Sequence, residues 1–481
     1  MRARAFPPIC CGEYASLRDR PGHGVTELVT DPGRASLVSE ARATLRLAIP
    51  LAAAQLAAVG MIATDVVLMG SLGPEALAAG GLAGSIHATV QMIAAGALTT
   101  VAPFAAEAYA KRDRIGFAAL ARHALLGAGC LGLLSMVLVW NAGSVLRALG
   151  EPADIVDAAE PFLHAVALAT PAVLGSGVVR QLLTVAGRPQ LVTYTAFGAV
   201  ALNGVLDWLF LHGAAGVPGM GIAGVAAATA VVQWLSFVTL VFAARRLIDW
   251  RAVLTSSFDA VIARNLVRLG APVAAMIGAE VALFQLAGLA VAFYGTSALA
   301  AHQIGLTLVT VTFVVPLGVA QAASVRVAAV RAVGPASSAR RPAGVAVGLA
   351  VAFMSCAGVV LWATRGVVVR LFVSDGGDQA TTAMTGAILI VAAFFQVFDG
   401  AQVALAGALR GLRDTRRPAV LAAVSYLVVG PAAAWVLAHA LGLGVIGIWL
   451  ALAAALATVT GLLALRLLRL TRDATNAALS D

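Results

Sequence analysis

Charge is what this sequence most lacks. Only 11% of its 481 residues are Asp, Glu, Lys or Arg, against 60% hydrophobic, and the mean hydropathy is +0.93. A chain so poor in ionic groups cannot cover a water-facing surface, which excludes a soluble enzyme or binding module. Cysteine is scarce too: Cys10, Cys11, Cys130 and Cys356 show neither metal-ligand nor redox spacing, so disulfide and zinc readings are set aside. Residues 1–42 lack the apolar core of a signal peptide, and no apolar run precedes Cys10 and Cys11 as a lipobox requires. They read as a disordered cytoplasmic tail. Long polar loops are also missing, so whatever the chain does happens within the bilayer.

What is present is a series of apolar runs, the first being 47–70, opened by Arg46 and carrying one acid, Asp65. As a helix it reaches roughly 36 Å, enough for a hydrocarbon core of about 30 Å. Eleven further runs follow, near 77–106, 118–141, 155–178, 190–212, 220–244, 266–293, 298–326, 342–363, 380–409, 419–440 and 444–468. Of the 32 Lys and Arg residues, all but Arg147, Arg365 and Arg370 fall on one set of alternate loops and the two ends. By the positive-inside rule those loops and both termini are cytoplasmic. The net charge of +9 is therefore topological, and it is spread too thinly to mark a nucleic-acid surface.

The chain repeats itself. Arg46-Leu-Ala-Ile-Pro50 is echoed by Arg268-Leu-Gly-Ala-Pro272, and the segment after Gly73 by that after Gly295, both at an offset of about 222 residues along the chain. Gly187-Arg188-Pro189 with the glycines 219, 221 and 224 resembles Arg416-Arg417-Pro418 with the glycines 442, 444 and 447. Six spans per copy thread the bilayer in the same direction, which relates the copies by a pseudo-twofold along the membrane normal with a cavity between them. The expected organisation is an amino-terminal lobe over 43–245, a cytoplasmic linker over 246–265 with a short interfacial helix near 247–258, a carboxy-terminal lobe over 266–470, and a cytoplasmic tail over 471–481.

Four acids fall inside spans: Asp65, Asp207, Glu280 and Asp399. A charge at the bilayer centre costs about 2.5–3.5 kcal/mol or more, which makes each a functional candidate. Asp65 is nineteen residues from Arg46 and Asp207 nineteen from Arg188, so both lie about 28 Å in. Asn203 precedes Asp207 by one helical turn and offers an amide to the same site. Glu280 is twelve residues from Arg268 and Asp399 eleven from Arg410, about 18 and 16 Å deep. Paired carboxyls at matched depths can hold H⁺, Na⁺ or a cationic solute, each excluding the others, with Na⁺ expected at Glu280 and Asp399.

Weaker candidates have plainer readings. Glu107 and Glu160 sit near span ends, where a solvated role is expected, and His87, His164, His302 and His439 are single imidazoles on apolar helices, where packing is the default. His302, Gln303 and Gln396 are kept as secondary candidates. Pro171, Pro316 and Pro431 kink spans. Arg326 reads as an inner-leaflet anchor.

Phe313 to Val327, Phe395 to Asp399 running on to Thr415, His302-Gln303, and Asn203 to Asp207 together resemble the multidrug and toxin extrusion (MATE) family, in its NorM-like bacterial branch. The resemblance covers roughly 42–470. It implies an all-α membrane protein of twelve transmembrane helices in two six-helix lobes, exporting cationic amphiphilic drugs against H⁺ or Na⁺. Glu280 and Asp399 match cation-site acids of NorM-like members; Asp65, Asn203 and Asp207 match an amino-terminal-lobe proton site of others. The sequence departs from the family at Arg413 and Ala328 on the inner rim. The expectation is thus a monomeric antiporter of the bacterial inner membrane, without cofactor, meeting only small-molecule substrates and lipids. A lipid-linked precursor flippase would want basic residues in the cavity, where the buried charge reads as acidic, and an intramembrane aspartyl protease would need a Gly-x-Gly-Asp context that is missing.

Overall fold

The computed structural model describes residues 36–213, 216, 218–372 and 379–477. Among them secondary structure is entirely helical. In chain order the helices are α1 (Leu37–Gly70), α2 (Pro74–Leu98), α3 (Val101–Ala110), α4 (Arg114–Trp140), α5 (Ala142–Ala148), α6 (Ala153–Ala167), α7 (Thr170–Val185), α8 (Pro189–His212) and α9 (Ile222–Ala244). After the short α10 (Trp250–Thr255) come α11 (Ala260–Ala292), α12 (Thr296–Val333), α13 (Arg340–Phe372), α14 (Gln379–Gly411), α15 (Arg416–Val424), α16 (Gly430–Ala434) and α17 (Gly444–Ala477). Among the described residues eleven helices or continuous helix pairs are long and apolar enough to cross a membrane, and α6 with α7, bent by 41°, makes a twelfth span. The bend stands where Pro171 enters α7; Thr170 Oγ1 donates to the Gly132 carbonyl at 3.0 Å and fixes it.

Two features correct the sequence expectation at the chain ends. Helix α1 begins at Leu37 rather than near 43, because Ser36 accepts the Ser39 amide as a cap and Glu40, counted with the tail, is buried. Helix α17 continues to Ala477, past the expected boundary at 470. The rest of the amino-terminal tail, residues 1–35, lies outside the described residues. In the linker the short helix is α10, capped by Asp249, which accepts from the amides of Arg251 and Ala252.

The duplication is visible in the backbone. α2 and α12 each start after a glycine with positive φ, Gly73 at 112° and Gly295 at 97°, a conformation L side chains rarely adopt. One span departs from the pattern. Between Arg416 and Ala440 two π-helical segments, Ser425–Val429 and Trp435–Ala440, flank α16, and the first places Tyr426 in the core. Added residues per turn rotate the side chains that follow, a device common at functional sites.

The lobes meet at the arginine-rich end of the bundle, called here the basic end. Small residues allow the approach: a Cβ on Gly318 of α12 would lie 2.7 Å from the Ala48 carbonyl of α1, and Gly96 of α2 packs on Ile277 of α11. Arg326, expected at the lipid interface, is instead fully buried and donates from both Nε (2.9 Å) and Nη2 (2.6 Å) to Glu40 Oε1. An arginine cannot neutralise itself, so its burial is tolerable only beside such a partner. Arg413 crosses the lobes as well, pairing with Glu107 and stacking 4.3 Å above the Phe104 ring. Its φ of 61° explains why a small residue would be at ease there. Burial pushes the Arg413 guanidinium below its usual range, and the Glu107 carboxylate opposes that shift. At the other end Arg147 joins Asp157 (2.8 Å) and Glu160 (2.9 Å), so Glu160 is paired rather than merely solvated.

Candidate functional site

The amino-terminal lobe gathers Asp65 from α1, Asn203 and Asp207 from α8, and Thr229 from α9. The Asn203 Nδ2 amide donates to Asp65 Oδ1 at 2.9 Å and also to Asp207 Oδ2, so one NH₂ group bridges two carboxyls. Asn203 and Asp207 are one turn apart and fully buried, which follows from their spacing of four residues on a single helix face. Thr229 Oγ1 lies 3.3 Å from Asp65 Oδ2 and 3.5 Å from Asn203 Oδ1. The second oxygen of Asp207 is buried with no protein partner. That leaves an oxygen-lined site with an unfilled acceptor.

The carboxy-terminal lobe gathers a second set. Glu280 on α11 accepts from Gln402 Nε2 at 3.0 Å, and Asp399, three residues earlier than Gln402 on α14, is buried within electrostatic reach of Glu280 and of Tyr426. Thr312 Oγ1 donates to Gln396 Oε1 at 3.0 Å, one turn before Asp399. Asp399 Oδ1, Gln402 Oε1, Gln396 Nε2 and the Tyr426 hydroxyl are all buried without a protein partner. Four open valences beside two acids make a polar pocket that a cation or proton could satisfy. None of the four intramembrane acids forms an ion pair with a basic residue among the described residues.

Of the secondary candidates, Gln396 joins the second set. His302 does not: its ring packs edge-on to Trp449, 5.6 Å between centroids, fully buried with both nitrogens unpartnered. Gln303 is exposed and donates to neither set. No cluster of three or more His, Cys, Asp or Glu side chains able to hold a metal exists among the described residues. Thr229, Thr312, Gln402 and Tyr426 escaped sequence reasoning, although Gln402 at three residues from Asp399 was within reach of a helical-face argument. Arg180 was assigned to a loop; it belongs to α7, and with Arg410 it lines a cavity between the lobes. The interior charge is therefore not acidic alone, and the argument raised against a flippase on that ground does not hold.

A duplicated bundle of up to twelve spans with buried polar seats in each half has the architecture of a polytopic membrane transporter. The MatE family model matches residues 50–209 and 272–436. The chain belongs to the multidrug and toxin extrusion (MATE) family. It is 37% identical over 441 residues to a probable multidrug resistance protein NorM of Burkholderia mallei, covering 90% of this chain and 93% of that one. It is 36% identical to the multidrug resistance protein NorM of Burkholderia vietnamiensis, over 92% and 96% of the two chains. Among solved structures, the eukaryotic MATE transporter AtDTX14 superposes with a TM-score of 0.80 at 17% identity, over 92% of this chain and 99% of that one. A multidrug resistance MATE transporter in an outward-facing conformation gives 0.82 at 20% identity, over 94% and 99%. Both likenesses show the fold.

Proposed function

We propose that this protein is an H⁺- or Na⁺-coupled antiporter that exports cationic amphiphilic compounds across a bacterial inner membrane by alternating access. Its basic end and both termini face the cytosol, as the distribution of arginine favours. The observation that carries the reading is the pairing of Asp65 with Asp207 through Asn203, and of Glu280 with Asp399 beside Gln402, with no arginine or lysine against any of them. Two carboxylates side by side in a low-dielectric interior repel strongly, and one bound cation relieves both. Proton, sodium ion and drug cation compete for that relief, so entry of one favours departure of another. The NorM relatives are named multidrug resistance proteins, which supports drug export.

Proteoliposomes loaded with ethidium and given a pH gradient or a sodium gradient separately test the reading. Wild-type protein is expected to move dye under at least one gradient, and Asp399→Asn or Glu280→Gln to reduce the initial rate about a hundredfold while inserting normally. Equal rates in wild type and both variants would remove those acids from the mechanism.

A further inference from the structure

Between the lobes, on the basic side of both acid sets, lies a cavity of about 180 Å³. α1, α2, α7 and α8 of one lobe and α12 and α14 of the other contribute to its wall. Among the described residues its charged lining is Arg180 and Arg410, one from each lobe, joined by polar side chains such as Thr99, Gln181 and Gln321, with no carboxylate on the wall. Arg410 Nη1 reaches Thr99 Oγ1 at 3.4 Å, and its Nε is sealed from solvent without any partner. Arg180 has no side-chain hydrogen bond or ion pair to a described residue.

Other arginines drawn into this structure are met by acids: Arg326 by Glu40, Arg413 by Glu107 and Arg466 by Asp414. A guanidinium stays charged at any working pH, and these two half-buried ones face one cavity with no carboxylate of the described residues on its wall, an arrangement suited to an anion from outside the chain. They stand at corresponding places in the duplicated unit. Arg180 comes nine residues before Pro189, and Arg410 eight before Pro418, each proline opening the next span. Eleven residues separate Arg410 from Asp399 on α14, about 16 Å along the helix.

We propose that Arg180 and Arg410 form a seat for the carboxylate of zwitterionic substrates, on the cytosolic side of the acidic sites. The proposal rests on the antiporter reading for its direction but not for its chemistry. The planar fork of arginine matches a carboxylate through two parallel N–H donors. Pockets for whole drugs are about 300–1,000 Å³, so this one takes only the anionic end. The cationic end of the same molecule is left for the acids further along the path. A transporter so built accepts pure cations and gains selectivity for compounds that also carry an acid.

Equilibrium binding to the purified full-length protein in neutral-lipid nanodiscs tests the seat apart from transport, with norfloxacin and its ethyl ester as probes. Isothermal titration on wild type, Arg180→Gln, Arg410→Gln and Arg410→Lys is expected to show norfloxacin Kd rising about tenfold in the glutamine variants. The ester is expected to shift less than twofold throughout, and Arg410→Lys to recover part of the norfloxacin affinity. Ester binding also reports that each variant is folded. Parallel shifts of acid and ester, or no shift of either, would overturn the seat. So would an anionic lipid as the true occupant, recognised by norfloxacin Kd values that ignore the substitutions while phosphatidylglycerol carry-over is lost from the variants. Gradient-driven ethidium transport, measured alongside, decides the antiporter reading independently.

Discussion

Asn203 donates a single amide group to two carboxyls, and that economy sets what its loss should do. Hydrogen bonds to charged groups are worth about 1.5–3 kcal/mol each. Asn203→Ala removes both and lets Asp65 and Asp207 move apart, so proton- or sodium-driven dye export is expected to fall at least tenfold. Thr229→Val, which deletes one hydroxyl donor 3.3 Å from Asp65 Oδ2 and 3.5 Å from Asn203 Oδ1, should cost only a fewfold. Initial rates in proteoliposomes compare the two, and a larger loss in the threonine variant would displace Asn203 from the centre of the site. A second residue-level outcome concerns stability. Arg326→Met deprives buried Glu40 of a two-pronged partner and is expected to destabilise by about 3–5 kcal/mol, whereas the double variant with Glu40→Gln recovers much of that. Thermal unfolding in detergent reads the difference, and additive losses would show that the pair does not act as a unit. The four acids stood out in the sequence because a carboxyl in an apolar span is costly, and the structure places them in two polar clusters. Their neutral neighbours were not, since Thr229 and Gln402 look like any polar residue on a helix until the partner helix is placed. Glu40 was hidden differently: its counter-charge lies 286 positions away, so nothing local distinguishes it from the tail acids.

At the scale of elements, the spans were legible in order and approximate place because each must supply a continuous apolar length, and the positions of glycine and proline punctuate them, while helix ends such as Leu37 and Phe372 lie well beyond the apolar runs. The exceptions follow from tertiary demands. α1 begins nearly three turns before its apolar run at 47, and the buried Glu40–Arg326 ion pair offsets the cost of that polar start. The π-helical segments within Arg416–Ala440 have no composition signal in the sequence. Contact between α1 and α12 carries a prediction at this scale. A side chain on Gly318 would meet the Ala48 carbonyl and the Ala52 amide at 2.7 and 2.9 Å only while the lobes are together. Overpacking costs about 1–3 kcal/mol, and here it falls on the closed basic end alone. Gly318→Val is therefore expected to shift the population toward an open basic end by about tenfold or more. A cysteine introduced by Gln321→Cys, on the cavity wall, should be labelled correspondingly faster by an impermeant maleimide applied from that side. An unchanged labelling rate would mean that α1 and α12 do not separate there.

For the whole molecule, the cross-lobe ion pairs, side-chain hydrogen bond and close glycine contacts among the described residues sit in the basic half: Glu40 with Arg326, Glu107 with Arg413, Thr99 with Arg410, and the glycine contacts of α2 and α12. Such a set can act as a distributed latch, because the closed basic end is held by several modest contacts at once and no single pair carries it. Under the alternating access proposed here, the latch opens once per cycle. Linking its halves covalently should thus stop transport without touching either acid set. Glu107→Cys with Arg413→Cys, in a chain whose own Cys10, Cys11, Cys130 and Cys356 are replaced by serine, places thiols where the ion pair now stands. A short reducible bifunctional thiol reagent is expected to abolish gradient-driven dye export, and dithiothreitol to restore it. The single-cysteine parents should be insensitive to the reagent. The ion pair itself is dispensable in this scheme, since neighbouring contacts keep the closed state accessible, so the unlinked double variant should transport at a rate within about threefold of its parent. Export that persisted while mass spectrometry showed complete linkage would mean that the basic end stays shut throughout the cycle, and substrate would then have to reach the acids from the bilayer between the helices.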